Sequence, residues 1–428
     1  MASPGRSRVE RRPLVALALY QLLSSNRGGL FTVYFVLFLS AEKGASIPLA
    51  LAILSAAYVG SSLIGPVVGR WSDRIGRRWP FLLAGEVGSL PLFLAVPFLP
   101  GYWAAGAAFV GAEIVLAVGS PAVNAFVADL TGEKERGWGY GFLQASGAAG
   151  AIVGFLLAGY LVNRFGFDVL FYMVGAIMVG TISIVLLFVP DRATASAPIR
   201  RPWRELKGVG IFSFSVSVRA LGAGAVITFY GAYAYLLGAS TFDIALIAVA
   251  GLAVTAVLSV PMGRIVDRIG EVPGMLWGTG ISLVSMVLYL LATQWVDLLP
   301  ARATYQLGFA LMNPAMLSWV ARTAPEGRRA EYLGFFALIN STLWSLGPLA
   351  GGIAVQLAGP EGLFLFAIAT TLISIAAIEL LYILRKRREP GHAPGGEGAV
   401  AKNEERTAGP LPVEPDLELS ARRNRAPA

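Results

Sequence analysis

The sequence predicts an all-α membrane protein with twelve transmembrane helices in two pseudo-symmetric six-helix bundles. Three observations lead to this fold class: an apolar composition, twelve apolar stretches of spanning length, and an internal repeat. Of the 428 residues, 56% are hydrophobic and only 14% are charged, whereas soluble chains carry about 25% charged residues. We therefore expect most of the chain to be surrounded by lipid.

Each of twelve stretches is long enough for a transmembrane helix, which needs about 20 apolar residues. They are residues 14–39, 47–69, 79–98, 103–127, 138–162, 168–189, 210–236, 242–263, 272–294, 297–321, 331–357 and 360–385. Spanning β-strands would instead be alternating segments of about 10 residues. The run lengths therefore favour helices.

Basic residues between these stretches fall almost entirely on one side of the predicted membrane. The other side shows little beyond Lys43 and Arg164. Because positively charged loops face the cytoplasm, both termini are predicted to be cytoplasmic, in a multi-pass protein of the cell membrane.

The distribution of charge, proline and apolar residues predicts five regions. Residues 1–13 are expected to be a cytoplasmic N-terminal segment, 14–189 the N-terminal bundle and 190–209 a cytoplasmic linker. Residues 210–388 are then the C-terminal bundle. Residues 389–428 are rich in Pro, Gly and charged residues, which predicts a disordered cytoplasmic tail.

The two halves of the chain repeat each other. Residues 69–76 read Gly-Arg-Trp-Ser-Asp-Arg-Ile-Gly and residues 263–270 read Gly-Arg-Ile-Val-Asp-Arg-Ile-Gly, at an offset of 263 − 69 = 194. Ser120-Pro121 maps onto Asn313-Pro314 at an offset of 193. Such duplication is typical of secondary transporters, whose solute site lies between the halves near the membrane midplane.

The connection after the second stretch carries a longer motif, Gly-x-x-x-Asp-Arg-x-Gly-Arg-Arg. Its residues are Gly69, Asp73, Arg74, Gly76, Arg77 and Arg78. The second copy departs after the residues Gly263, Asp267, Arg268 and Gly270. This motif resembles the loop signature of the major facilitator superfamily, whose fold has twelve helices. The resemblance implies a gate in which Asp73, Arg77 and Asp129 form a charge relay that locks the outward-open state.

Small residues in the fifth and eleventh stretches form another repeated feature. They are Gly150, Gly154 and Gly159 in the fifth, and Gly347, Pro348, Gly351 and Gly352 in the eleventh. The fifth stretch is similar to a signature of antiporters in the superfamily, with Phe155 in place of its proline and Ala158 in place of a glycine. Close helix packing and a specific role in antiport both remain open.

Charged residues inside the predicted spans are candidates for solute binding, because a charge at mid-bilayer costs about 2.5–3.5 kcal/mol on insertion scales. Arg27 and Arg219 lie at matching places in the two halves, since 219 − 27 = 192. A guanidinium group binds carboxylate or phosphate bidentately. The pair resembles the arrangement in organophosphate and phosphate exchangers of the superfamily.

Glu113 in the fourth span is the candidate for binding a proton or a cationic solute. Its counterpart at an offset of 193 is Gln306, with Arg302 one turn outward. An internal ion pair between Arg27 and Glu113 that only neutralises charge is the alternative.

Other polar and aromatic residues inside the spans have weaker claims to a solute site. Tyr34 and Tyr230 are further candidates for lining a cavity, although most membrane aromatics serve in packing or as interface anchors. Glu86 and Glu379, in spans that are peripheral by resemblance, are expected to be structural or snorkelling groups.

Two functions remain open. One is a secondary active transporter of the multidrug-like branch that exports or exchanges amphipathic compounds. The other is an organic-anion or organophosphate transporter that uses Arg27 and Arg219. The chain has no cysteine, and its one histidine, His392, lies in the polar tail, so we expect neither an enzyme nor a metal site. The expected partners are a small-molecule substrate and the lipid bilayer, with no nucleic acid, no cofactor apart from a coupling gradient, and a monomeric state.

Overall fold

The computed structural model describes residues 11–75, 77, 79–119, 123, 136–189, 207–323 and 329–388, and the all-α fold predicted from the sequence is confirmed there. The N-terminal half contains α1 (Arg11–Ala41), α2 (Ile47–Ile75), α3 (Trp79–Ala95), α4 (Gly101–Leu116), α5 (Arg136–Phe165) and α6 (Asp168–Phe188). A 3₁₀ turn, Val96–Phe98, joins α3 to the loop before α4.

The C-terminal half repeats this arrangement. It contains α7 (Lys207–Leu236), α8 (Thr241–Ile269), α9 (Glu271–Leu291), α10 (Leu298–Thr323) and a last helical run, Arg329–Arg388. That run is broken at Ala358 (φ −140°, ψ 21°) and Gly359 (φ 70°, ψ −172°). A left-handed glycine followed by proline ends a helix, because proline cannot continue it. The break gives α11 (329–357) and α12 (360–388).

Hydropathy alone recognises fewer spans than the fold contains. Within the described ranges, nine helices are long and apolar enough to cross a membrane, with α11 and α12 counted as one. Two helices fall short for different reasons. The helix α4 has 16 residues and ends at Leu116, within the described residues and before the predicted end of its span. The helix α10 carries Arg302, Gln306 and Arg322, which lower its hydropathy.

Tight turns join the helices at one end of the bundle. Left-handed glycines occur in five of these connections, at Gly44, Gly101, Gly166, Gly238 and Gly359. We call this the outer end, after the orientation predicted from the loop charges. Glycine is favoured at each position because side chains rarely adopt a positive φ.

The halves meet through a hydrophobic core at the outer end. The Tyr34 hydroxyl of α1 donates to the Thr241 carbonyl of α8 at 2.8 Å, and the Thr241 hydroxyl donates to the Gly159 carbonyl of α5 at 3.1 Å. The Ser55 hydroxyl of α2 donates to the Ser345 carbonyl of α11 at 2.6 Å. The buried cluster around these contacts contains residues of both halves. We call these three hydrogen bonds and this cluster the outer seal.

A second buried cluster lies near the opposite end of the N-terminal half. Its members come from that half alone and include Leu17, Tyr20, Leu82, Leu143 and Val185. In the part of the chain that the structure describes, the outer seal therefore holds the core that is shared between the halves. All the contacts described here lie before Leu380, within the first of two units that divide the chain at this residue.

Glycines allow close helix contacts at the positions singled out in the sequence. A Cβ at Gly150 would overlap the Leu22 carbonyl of α1, and one at Gly154 would overlap the Asn26 side chain. A Cβ at Gly159 would lie 2.9 Å from the Thr241 carbonyl of α8.

The corresponding residues of α11 are as closely packed. A Cβ at Gly347 would lie 2.7 Å from the Ala225 backbone nitrogen, and one at Gly351 would lie 2.6 Å from the Ala225 Cβ. One at Gly352 would lie 2.9 Å from the Pro48 carbonyl of α2. Pro348 is buried in the same stretch. These contacts support the packing interpretation, while the link to antiport stays a prediction.

We expect Gly150→Ala to lower the melting temperature of the detergent-purified protein. The added methyl must push α5 away from α1, and overpacking of this kind costs about 1–3 kcal/mol. Gly280→Ala in α9 is the matched control, because its Cβ would meet nothing within 4 Å. Thermal unfolding followed by circular dichroism measures both. Equal melting temperatures for the two variants would contradict the close contact.

Candidate functional site

Arg27 is held by a carboxylate of its own half. Its Nη1 donates to Glu86 Oε2 at 2.9 Å and its Nη2 donates to Oε1 at 3.3 Å. The Tyr20 hydroxyl (2.7 Å) and the Thr181 hydroxyl (2.8 Å) donate to the same carboxylate. Arg27 is 3% exposed and Glu86 is 1% exposed. These four side chains tie α1 to α3 and α6, and we call them the N-half network.

The N-half network bears on two predictions: the ion pair of Arg27 with Glu113, and Glu86 as a structural or snorkelling group. The ion-pair partner of Arg27 is Glu86 rather than Glu113. Glu86 is buried between helices and does not snorkel, because α3 turns the face that carries Leu82, Glu86 and Phe93 into the bundle. The guanidinium of Arg27 is therefore neutralised inside the protein, and the symmetric pair of Arg27 and Arg219 is not available as two free cations.

Glu113 contrasts with Glu86, because its carboxylate has no partner in the described ranges. It is partly exposed on α4, and no hydrogen bond or ion pair joins its side chain to any residue of the described ranges. It lies within electrostatic reach of Arg27. Glu379 on α12 is exposed, so it does not belong to the interior of the bundle.

Two arginines of the C-terminal half are buried without a counterion in the described ranges. Arg219 of α7 is 5% exposed and Arg302 of α10 is 8% exposed. The Nε atom of Arg219 and the Nε and Nη1 atoms of Arg302 make no hydrogen bond. The ion pairs among the described residues, Arg27 with Glu86 and Arg322 with Glu271, involve neither of them. These cations therefore contrast with the paired Arg27.

Aromatic rings surround the Arg302 guanidinium. Its Cζ lies 5.1 Å from the ring centroid of Tyr230 and 5.8 Å from that of Tyr305. The Tyr305 hydroxyl lies beside Arg219, and Tyr289 lies beside Arg302. The hydroxyls of Tyr230 and Tyr289 are buried without a hydrogen-bond partner. Tyr305 therefore lies beside both arginines.

The remaining predicted site residues are Gln306, which lies beside Arg302, and Tyr34, whose hydroxyl belongs to the outer seal. Gln306 is half-buried on α10, next to Gly251 of α8, where a Cβ would lie 3.0 Å from both Gln306 Cγ and Arg302 Nε. Tyr34 instead uses its hydroxyl in the outer seal. The structure therefore brings Arg302, Gln306 and Tyr230 together and places Arg219 beside Tyr305, while Tyr34 lies near Tyr230 in the buried cluster of the outer seal. Sequence reasoning missed Tyr289 and Tyr305.

The gate predicted in the N-terminal half lies only partly within the described residues. Gly76, Arg78 and Asp129 lie outside the described residues, and the helix α2 runs through Gly69, Asp73 and Arg74. Arg77 is exposed. The charge relay therefore stays a prediction.

The second copy of the motif is better defined. Gly263, Asp267 and Arg268 lie in the last turns of α8, and Gly270 (φ 90°) ends that helix. A Cβ at Gly263 would meet nothing within 4 Å. Glu271 begins α9, and its Oε1 lies 3.0 Å from Nε of Arg322 at the end of α10.

The Glu271–Arg322 pair is related by the repeat to the predicted relay. The offsets 271 − 77 = 194 and 322 − 129 = 193 place Glu271 opposite Arg77 and Arg322 opposite Asp129. The two halves therefore carry opposite charges at equivalent positions. The departure of the second motif at Glu271 is a reversal of charge rather than the loss of a pair.

We expect Glu86→Gln to destabilise the protein strongly, because it leaves the Arg27 charge buried without a counterion, at a cost of about 3–5 kcal/mol. Thr181→Val is the milder control, since it removes one hydrogen bond worth about 0.5–1.5 kcal/mol. The double change Arg27→Met with Glu86→Leu should recover most of the loss. Thermal unfolding in detergent compares the three. A wild-type melting temperature for Glu86→Gln would show that Arg27 has another counterion.

Comparison with known proteins agrees with this architecture. A sequence model described as Major Facilitator Superfamily matches residues 17–214 and 212–426. "Multidrug resistance protein MdtG" of Proteus mirabilis is 23% identical over 337 residues, which cover 75% of this chain and 82% of that protein. "Multidrug resistance protein 2" of Bacillus subtilis is 28% identical over 332 residues, which cover 71% of this chain and 79% of that protein.

Solved structures show the same fold. The peptide transporter POT in complex with sulfate matches with a TM-score of 0.69 at 15% identity, over 90% of this chain and 96% of that one. A bacterial homologue of the human lysosomal transporter Spinster, in an inward-facing and occupied conformation, matches with a TM-score of 0.69 at 17% identity, over 91% of this chain and 100% of that one. This chain therefore belongs to the major facilitator superfamily, as a multi-pass membrane transporter.

Proposed function

We propose that this transporter exports small amphipathic organic compounds across the cell membrane in exchange for protons. The observation that carries the proposal is Glu113, a partly exposed carboxylate in the membrane part of the N-terminal half that has no ion-pair or hydrogen-bond partner among the described residues. Relatives named as multidrug resistance proteins support the export of such compounds. The proposed protein acts as a monomer, with both termini in the cytoplasm, and it needs neither catalysis nor a cofactor.

A free carboxylate at this depth links proton and substrate through its charge. Enclosing an unpaired carboxylate in the membrane is costly, about 2.5–3.5 kcal/mol on insertion scales. Binding a proton or the cationic part of a substrate removes that charge. If each occupant excludes the other, the carrier returns with one after it has released the other, which is exchange.

The outer seal supports alternating access as the transport mechanism. In this conformation the three interhelical hydrogen bonds of the seal close the outer ends of both halves. Opening outward must break these bonds and separate the shared core, and the predicted gate at the cytoplasmic end would close in return. Two mutually exclusive closures are what alternating access requires.

The organic-anion alternative survives in a changed form. Arg27 no longer supports it, because Glu86 neutralises its charge. The unpaired Arg219 and Arg302 favour an anionic group in the substrate, and they lie within one half instead of across the pseudo-twofold axis.

We expect Glu113→Gln to uncouple transport from the proton gradient. In proteoliposomes, pH-gradient-driven accumulation of the dye Hoechst 33342 should fall at least about tenfold, because the amide cannot exchange a proton. Counterflow of the same dye without a gradient should continue, since the cavity keeps its shape.

Glu379→Gln is the matched control, because it removes an exposed carboxylate from α12. It should leave both activities unchanged. Gradient-driven accumulation that persists in the Glu113 variant would exclude this residue as the coupling group.

A further inference from the structure

We propose that α7, α8, α9 and α10 form a binding subsite for an anionic group of the transported compound, a carboxylate or a phosphate monoester, with Arg219 and Arg302 as its cationic residues. This inference rests on the proposed function only in taking the ligand to be the cargo. We call the site the arginine–tyrosine pocket; its residues are Arg219, Tyr230, Gly251, Tyr289, Arg302, Tyr305 and Gln306.

The arginine–tyrosine pocket contains several hydrogen-bond donors that have no partner in the described ranges. The two arginines are more than nine-tenths buried, and three of their nitrogen atoms lack a hydrogen-bond partner. The hydroxyls of Tyr230 and Tyr289 beside them are also unpartnered. Buried polar groups normally have partners. All these groups can donate a hydrogen bond and the arginine N–H groups can only donate, so an acceptor would satisfy them, and the guanidinium charges favour an anion.

The internal repeat places an uncharged residue of α9 where α3 has Glu86. The buried face of α3 consists of Leu82, Gly85, Glu86, Ser89 and Phe93. At an offset of 193 each of these positions is also buried in α9, where the residues are Met275, Gly278, Thr279, Ser282 and Met286. Thr279 therefore stands where Glu86 neutralises Arg27, and its hydroxyl donates to the Met275 carbonyl at 2.7 Å.

Arg219 consequently lacks the carboxylate that its counterpart in the other half possesses. Tyr20, which supports Glu86, is likewise replaced by Phe212, since 212 − 20 = 192. The same backbone positions thus build a neutral network in one half and an unneutralised arginine in the other. A bound ligand would supply the negative charge that Glu86 supplies to Arg27 in the other half.

Aromatic rings and a close helix contact surround the Arg302 guanidinium. Arg302 lies against the rings of Tyr230 and Tyr305, which fix its guanidinium through cation–π contact. Gly251 lets α8 approach, because a Cβ there would lie 3.0 Å from Arg302 Cγ and Nε. Gln306 beside Arg302 is half-buried. Aromatic walls with few directed donors are typical of sites for small organic ligands.

Snorkelling to the membrane surface does not explain Arg302. A snorkelling side chain holds its charged end in water or at the lipid headgroups. The Nε and Nη1 atoms of Arg302 are instead enclosed by protein. The nearest rings belong to α7 and α10 themselves, so the guanidinium points into the bundle.

The test measures binding to the purified full-length protein in detergent, without membrane or gradient. The probes are naphthalene-1-carboxylate and 1-naphthyl phosphate, each compared with the neutral naphthalene-1-carboxamide by isothermal titration calorimetry. We expect the wild type to bind at least one anion about tenfold or more tightly than the amide. In Arg302→Gln and Arg219→Gln this preference should fall about tenfold, while binding of the amide changes little.

Three further variants separate the pocket from a general effect on folding. Arg164→Gln removes an exposed arginine at the outer end of α5 and should keep the wild-type preference. Tyr289→Phe should weaken only the anions, by about two- to fivefold. Thr279→Glu supplies the carboxylate that the C-terminal half lacks, and it should abolish the preference by neutralising Arg219. If an arginine variant does not fold, Tyr289→Phe and Thr279→Glu still decide the question.

A wild type without preference for either anion, or an Arg302→Gln and Arg219→Gln pair that both retain it, overturns the proposal. Competition by phosphatidylglycerol, with no binding of the naphthyl anions, would assign the pocket to a lipid headgroup and overturn it as a cargo site. These outcomes are independent of Glu113, because the proposed function is tested by gradient-driven flux and this inference by equilibrium binding.

Discussion

The high cost of an unpaired charge inside a lipid-surrounded bundle governs the interior of this transporter. A mid-membrane charge costs about 2.5–3.5 kcal/mol on insertion scales, so each one must be neutralised or must have a use. The N-half network neutralises Arg27 completely within the protein. Glu113, Arg219 and Arg302 have no such solution in the described chain. The candidate site consists of these charged residues, which have no counterion among the described residues.

Duplication followed by divergence explains why these charges are unequally distributed. Both halves place an arginine at the same position of their first helix, yet only the N-terminal half supplies a buried acid opposite it. The reversed charges of Glu271 and Arg322 show the same pattern at the end of the C-terminal half that lies opposite the outer end. The repeated backbone is retained while its electrostatics differ, so the N-terminal half neutralises its arginine internally and the C-terminal half does not do so within the described residues.

Much of the fold could be predicted from the sequence, because lipid imposes long apolar helices and short polar connections. The repeat also singled out Arg219, Arg302 and Gln306 as candidates, and their role in solute binding stays a prediction. The partner of Arg27 could not be predicted in the same way, since it depends on how α3 is rotated about its axis. A signal was nevertheless present: Glu86 and Ser89 share a face with Leu82 and Phe93 at helical spacing, which marks a polar stripe on an interior face.

The absence of partners was harder to foresee than their presence. Arg302 lies one turn from Gln306 in the sequence, but its enclosure depends on three tyrosines from different helices. Two of them, Tyr289 and Tyr305, have no distinguishing motif. Helix packing alone brings them to the guanidinium, and long-range packing of this kind leaves no local pattern in the chain.

The position of the arginine–tyrosine pocket links binding to the outer seal. Tyr230, Tyr289 and Tyr305 are members of the same buried cluster that joins the outer ends of both halves. An anion that draws their hydroxyls or the Arg302 guanidinium toward itself must therefore shift side chains of that shared core. Cores are closely packed, so even small displacements are costly. Occupancy of the pocket and opening of the outer end would then be coupled through the same three rings, which is how a bound solute can favour one conformation of its carrier over the other.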